Sequence, residues 1–70
     1  MRRTISRHEE LRRAGGLTLT ALAAQIGVSR AYASRVEGGL IPASRRYRRA
    51  FGRLLGVSER LIFDRAGRAR

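Results

Sequence analysis

Apolar residues recur along the chain at spacings of three and four, which is the period of one face of an α-helix. The clearest example follows Thr18, where the apolar side chains are Leu19, Leu22, Ala23 and Ile26. No stretch alternates apolar and polar residues as a half-buried strand does. The pattern therefore predicts an all-α fold built from short helices.

Serine, threonine and glycine residues divide this pattern into five helices. A Ser or Thr before a helix accepts a hydrogen bond from a first-turn amide, and a Gly after a helix adopts the backbone conformation of a helix end. The predicted caps are Ser6, Thr18, Ser29, Ser44 and Ser58, and the predicted stops are Gly15, Gly27, Gly38 and Gly56. The predicted helices are 7–14, 19–26, 30–37, 45–55 and a short fifth helix containing 61–63.

The length of 70 residues limits the chain to one domain with a small core. We expect that domain to span residues 7–63. Residues 1–6 are expected to form a flexible basic arm, and residues 64–70 a frayed basic tail, because the tail has no apolar periodicity. The absence of cysteine excludes disulfides and thiolate zinc sites.

The second and third helices have the layout of a helix-turn-helix. Gly27 stands where the turn needs a positive φ, and Ala23 is small where the third helix crosses the second. A sharp turn of this kind lets helix 30–37 place its outer face in the major groove of DNA. The residues on that face are Arg30, Ala31, Ser34 and Arg35.

Charge also indicates a polyanionic partner. The chain has sixteen arginines, no lysine and five acids, for a net charge of +11. A coding bias would explain arginine in place of lysine, but not the shortage of acids. The expected partner is nucleic acid first and an anionic membrane second.

From Leu11 to Phe63 the chain resembles the lambda-repressor-like family of helix-turn-helix domains, of the Cro/Xre type. The residues that carry the likeness are "LRRAGGLT", "LAAQIGVSRAYASRVEGG", Pro42, "LLGVS" and "LIF", in the family's order. The resemblance implies a compact five-helix domain and a sequence-specific regulator of transcription that binds double-stranded DNA. Repression is the expected sign.

The resemblance also implies roles for single residues. Arg30, Ala31 and Arg35 match positions that touch base edges, and Ser34 shares their face. The candidate phosphate contacts are Thr18, Thr20, Tyr32, Gly38, Gly39, Arg45 and Arg46. Tyr32 either touches the DNA backbone or packs on the second helix, and both alternatives stay open.

Four further residues have expected structural roles. Arg12 and Glu37 match a partly buried ion pair between the first and third helices. Leu61 is the candidate dimer contact, in a weak homodimer. His8 stands where the family has an aliphatic residue, and is expected to be a half-buried packing residue.

Two alternatives from other classes remain. A basic RNA- or ribosome-associated protein usually stacks bases on aromatic side chains, of which this chain has four. A membrane-surface helix would suit the basic, amphipathic fourth helix, but the small core needs its apolar face. We expect no enzymatic activity, cofactor, metal, small-molecule ligand or membrane partner, and a cytoplasmic, nucleoid-associated location.

Overall fold

Five α-helices make up most of residues 5–70, the part of the chain that the computed structural model describes. They are α1 (Arg7–Ala14), α2 (Leu19–Ile26), α3 (Arg30–Glu37), α4 (Arg45–Leu55) and α5 (Glu59–Ile62). Over these residues the only strand-like feature is an isolated antiparallel bridge between Phe63 and Ala69. The predicted all-α, five-helix fold is confirmed. The predicted arm lies mostly outside the described residues.

Side-chain caps begin four of the helices. Ser6, Thr18, Ser29 and Ser44 each accept a hydrogen bond of 3.0–3.1 Å from the amide three residues ahead. Ser58 is the N-cap residue of α5, as predicted, but its side chain makes no such bond. The amide of Leu61 donates instead to the Ser58 carbonyl, at 3.1 Å.

The core lies where α2, α3, α4 and α5 meet. Its buried apolar residues are Leu22, Ala23, Ile26, Ala33, Val36, Ala43, Tyr47, Phe51, Ile62 and Phe63. The rings of Tyr47 and Phe51 both meet Phe63 edge to face, with centroids 6.2 and 5.8 Å away. Aromatic rings favour this arrangement, so they fill the centre of a small domain with few side chains.

The C-terminal segment, residues 64–70, folds back on the domain, so the prediction of a frayed tail is wrong. The amide of Ala43 donates to Gly67 and that of Arg70 donates to Ile62, both at 2.8 Å. The amide of Arg7 donates to the Arg70 carbonyl at 2.7 Å. Backbone hydrogen bonds therefore order this segment, and they require no apolar periodicity.

A polar turn gives the C-terminal segment its shape. The Asp64 carboxylate accepts hydrogen bonds from the amides of Ala66 and Arg68, both at 2.9 Å. Gly67 has a φ of 88°, and a Cβ there would lie 2.5 Å from Nη1 of Arg48. Only glycine fits this approach without displacing its neighbour.

Candidate nucleic-acid interface

The outer face of α3 carries the four predicted base-contacting residues. Arg30, Ala31, Ser34 and Arg35 are exposed, whereas Ala33 and Val36 on the inner face are completely buried. Residues four apart lie above one another on a helix, so the four exposed residues form one stripe. No acid stands in the first turn of α3. The structure thus brings the four residues together on one positively charged surface.

The turn between α2 and α3 has the geometry that the sequence predicts. Gly27 is left-handed, with a φ of 90°. The amides of Gly27 and Val28 both donate to the Ala23 carbonyl, at 2.8 and 3.0 Å. These bonds end α2 within one residue, and Ser29 begins α3 directly by capping the amide of Tyr32. The outer face of α3 is therefore fixed relative to α2.

The carboxyl end of α3 is tied to α1 through Arg12 and Glu37. The Glu37 carboxylate is nearly buried, and Arg12 donates to both of its oxygens, from Nε at 2.7 Å and from Nη2 at 3.1 Å. Nη1 of Arg12 also donates to the Leu17 carbonyl at 2.8 Å. A bidentate, charge-assisted pair is among the strongest side-chain interactions. It fixes the last residue of α3 against both α1 and the loop that follows α1.

His8 adds a second contact to the same carboxylate. Its side chain is completely buried, so the prediction that it is half-buried is wrong. Nδ1 lies 2.9 Å from Oε2 of Glu37, and Nε2 lies 2.7 Å from the Tyr47 hydroxyl. A neutral ring protonated on Nδ1 donates to Glu37 and accepts from Tyr47, which satisfies all three groups. We call His8, Arg12, Glu37 and Tyr47 the α3 anchor.

Protonation within the α3 anchor follows from burial and from these bonds. Burial lowers the pKa of His8, outweighing the opposite effect of Glu37. Burial raises the pKa of Glu37, but hydrogen bonds from Arg12 and His8 outweigh it and hold that pKa below its ordinary value. Burial also raises the pKa of Tyr47. At neutral pH the anchor therefore contains one ion pair, a neutral imidazole and a neutral phenol.

The start of α2 presents two predicted phosphate contacts, Thr18 and Thr20. Both are exposed. The Thr18 side chain accepts from the amide of Ala21 at 3.1 Å, and its carbonyl accepts from the amide of Leu22 at 2.9 Å. The amides of Leu19 and Thr20 precede that of Ala21, at the start of the helix. Backbone donors there have no intrahelical acceptor, and the helix dipole is positive. This end of α2 suits an anion.

Tyr32 contacts the start of α4. Its hydroxyl accepts from the amide of Ser44 at 3.1 Å, and its ring meets Tyr47 edge to face at 5.7 Å. The hydroxyl keeps its own hydrogen as a donor. Tyr32 and Arg46 line one groove of about 340 Å³ between the turn and α4. Arg46 therefore lies beside the helix-turn-helix. Arg45, which precedes Arg46 in α4, is exposed.

Gly38 and Gly39 end α3 with their amides already engaged. The amides of Gly38, Gly39 and Leu40 donate to Ser34, Val36 and Arg35, each at 3.0 Å. A phosphate at this point would therefore meet a glycine backbone without free amide donors. The Gly39 carbonyl accepts instead from Nη1 of Arg68 at 2.8 Å. Arg68 is a candidate that sequence reasoning missed, because nothing in the apolar pattern connects residue 68 with residue 39.

Among residues 5–70, no ion pair involves the candidate DNA-contacting residues Arg30, Arg35, Arg45 or Arg46. Four of the five acids have partners within the chain: Glu9 with Arg13, Glu37 in the α3 anchor, Glu59 at 4.0 Å from Arg48, and Asp64 with backbone amides. Arg48 is half-buried, and its Nη1 donates to the Ala43 carbonyl at 2.8 Å. Arg30, Arg35, Arg45 and Arg46 are all exposed.

A short turn between two packed helices, with the second helix exposed along one face, defines a helix-turn-helix domain. A family model described as "Helix-turn-helix domain" matches residues 9–62, and the chain belongs to this family. Among solved structures, "The N-terminal DNA binding domain of SinR from Bacillus subtilis" is similar, with a TM-score of 0.70 and 29% sequence identity. The match covers 77% of this chain and 80% of that chain.

These two matches confirm the resemblance to Cro/Xre-type domains. A search of the curated proteins finds no match. Within residues 5–70, no helix is long and apolar enough to cross a membrane. The same residues contain no cluster of three or more side chains that could hold a metal ion.

Proposed function

We propose that this helix-turn-helix domain is a sequence-specific transcription regulator that reads the major groove of duplex DNA with α3. One observation carries the proposal: α3 is fixed along its inner face while its outer face presents Arg30 and Arg35. An α-helix fits the major groove, and the guanidinium fork matches the O6 and N7 acceptors of guanine. The preferred half-sites should therefore contain guanine.

Phosphate contacts on both sides of α3 would hold it in register. Thr18 and Thr20 flank it at the start of α2, and Arg45 and Arg46 flank it at the start of α4. Tyr32 lies in the groove between the turn and α4, and Gly38 and Gly39 allow a close approach at the far end. The similar SinR domain is described as DNA-binding, which supports the same use of this surface.

We further propose that the regulator acts as a weak homodimer that occupies an operator and represses transcription, in the cytoplasm at the nucleoid. A domain this small covers few base pairs, so two copies would bind half-sites about 34 Å apart. Leu61 is 58% exposed beside exposed Arg60, while Ile62 and Phe63 are buried. Leu61 is thus the apolar residue of α5 that remains available to a second copy.

Stoichiometry tests the dimer. Sedimentation of the chain with a palindromic duplex should show two protomers per duplex, and Leu61→Glu should weaken the second binding event more than the first. A Glu10→Ala variant, altered at an exposed position of α1, serves as the control. Monomers that bind a palindromic duplex one to one would refute the dimer.

Selection from a random duplex pool tests the reading function directly. We expect enrichment of a symmetric motif containing guanine. Gel shifts with the selected duplex, a matched RNA and anionic vesicles should show the tightest binding to the duplex. Equal or tighter binding to RNA would favour the RNA-associated alternative, and a pool with no motif would exclude sequence-specific reading.

A further inference from the structure

The C-terminal segment lies against the loop that follows α3. The Gly67 carbonyl accepts a hydrogen bond from the amide of Ala43, and Nη1 of Arg68 donates to the Gly39 carbonyl, both at 2.8 Å. Arg68 is itself exposed. One of its five N–H donors is used on Gly39, so the remaining donors and the positive charge are available to a ligand.

The hydrogen bonds at the end of α3 explain why the position of Arg68 matters. The amides of Gly38, Gly39 and Leu40 all donate to carbonyls of α3. A phosphate approaching the end of α3 would therefore find no free donors among these three amides. The guanidinium of Arg68 supplies both donors and charge at that point, and its fork suits phosphate oxygens.

Asp64 determines where Arg68 stands. Its carboxylate accepts hydrogen bonds from the amides of Ala66 and Arg68, both at 2.9 Å, and its amide donates to the Arg68 carbonyl at 2.8 Å. The only acid of the segment is therefore used as a turn-forming acceptor of backbone amides. Arg65, in the same turn, is exposed and carries the same charge.

We propose that Arg68 is a phosphate-contacting residue of the DNA interface, presented at the end of α3 by the C-terminal segment. The contact rests on the proposed function, since it assumes that α3 lies in the major groove. It carries no sequence information, because a phosphate is the same at every base pair. Its contribution should therefore be equal on cognate and scrambled duplexes.

A salt titration of duplex binding tests this role. Arg68→Ala should make the plot of log K against log salt shallower by about 0.9 on both duplexes, the value for one phosphate contact. At about 0.1 M salt this corresponds to roughly five- to tenfold weaker binding. Arg65→Ala removes the same charge from the same turn and should leave the slope unchanged. Equal slopes for both variants would show a general charge effect and overturn the proposal.

A pair of Asp64 variants separates position from charge. Asp64→Asn and Asp64→Ala each remove one negative charge, but only Asn keeps the oxygen that accepts from the Arg68 amide. We expect Asp64→Asn to bind at least as tightly as the unaltered chain, and Asp64→Ala to bind as weakly as Arg68→Ala. Adding Arg68→Ala to Asp64→Ala should cause no further loss. Equal binding by the two Asp64 variants would overturn the proposal.

Two controls keep the outcomes distinct. A fall in melting temperature for Arg68→Ala with an unchanged salt slope would assign Arg68 a purely structural role and refute the contact. If Arg30→Ala loses its preference for the cognate duplex while Arg68→Ala behaves as the unaltered chain, only this inference fails. If the unaltered chain shows no preference for any duplex, the proposed function fails.

Discussion

The two faces of α3 differ in what their charges do. The inner face ends in Glu37, a carboxylate satisfied by Arg12 and His8. The outer face presents Arg30 and Arg35 to solvent. A helix of eight residues is marginal by itself in water, so the outer arginines point in a fixed direction only because the inner face is anchored. Under the proposed function, stability and recognition therefore depend on different residues, and mutation can separate them.

Glu37→Ala should have the largest effect, and the effect should be on stability. It leaves Arg12 poorly solvated and unpaired, and removes the acceptor of His8. Breaking a buried ion pair costs about 3–5 kcal/mol, comparable with the whole stability of many small domains. Thermal denaturation measures the loss. The control is Glu10→Ala, on the exposed side of α1, and an equal fall in melting temperature for both would mean that the inner face is not anchored there.

Arg30→Ala and Arg35→Ala should change recognition and leave stability unchanged. Loss of a bidentate contact to guanine costs about 1–3 kcal/mol and relaxes the preference at one base pair. Competition between cognate and scrambled duplexes measures that preference, and the melting temperature should stay within the range of other surface variants. If each variant weakens both duplexes equally, the outer face of α3 does not read sequence.

Mild acid should loosen the α3 anchor. Because the pKa of His8 is lowered in the folded chain, the unfolded chain binds more protons as pH falls below about 6.5. The free energy of unfolding should have its full value above that pH. Below it, the free energy of unfolding should decrease by at most about 1.4 kcal/mol per pH unit. His8 is the only histidine, so denaturant unfolding between about pH 5.5 and 7 reports on this one side chain.

His8→Gln provides the control for that measurement. Its amide nitrogen can donate to Glu37 and its oxygen can accept from Tyr47, but it does not titrate. We expect its stability to be flat over the same pH window. The decrease due to Glu37 itself should appear only in stronger acid, because the pKa of Glu37 is also lowered. A decrease that persists in His8→Gln would assign the pH dependence to another group.

Arg45→Ala should have the smallest effect. Loss of one phosphate contact should weaken binding to every duplex alike and reduce the salt slope by about one unit. The control is Arg53→Ala, which removes the same charge from an exposed position two turns further along α4. A slope change of the same size in both variants would mean that α4 acts through its overall charge and not through a contact at its start.

The helix boundaries were predictable because their signals are local. A serine or threonine and the amide three residues ahead are close in any chain that begins a helix, and four of the five predicted caps make this side-chain hydrogen bond. The involvement of His8 had a weaker signal. It lies four residues before Arg12 on one helix face, so a carboxylate that Arg12 reaches is also within reach of His8.

The C-terminal segment was not predictable in the same way. Its hydrogen bonds to Ala43 and Gly39 join residues that are far apart in sequence. The first uses backbone groups that every residue possesses, and the second uses one of sixteen arginine side chains. Only Gly67 and the Asp64 turn mark the segment, and both features are common in loops that contact nothing. The sequence pattern therefore predicts α3 and its exposed arginines, but it does not predict Arg68 beside the end of that helix.

The hydrogen bond between the amide of Arg7 and the carbonyl of Arg70 makes neighbours of the first helix and the last residue. A peptide link from Arg70 to Ser6 would turn the domain into a closed ring with few residues added. The ring offers a place to reopen at Gly15 and Gly16, which are exposed between α1 and α2, and exposed turns are where such permutations succeed. The new order would begin with the helix-turn-helix and end with α1. The fold of the domain thus depends on which helices pack together, and not on the order of those helices along the chain.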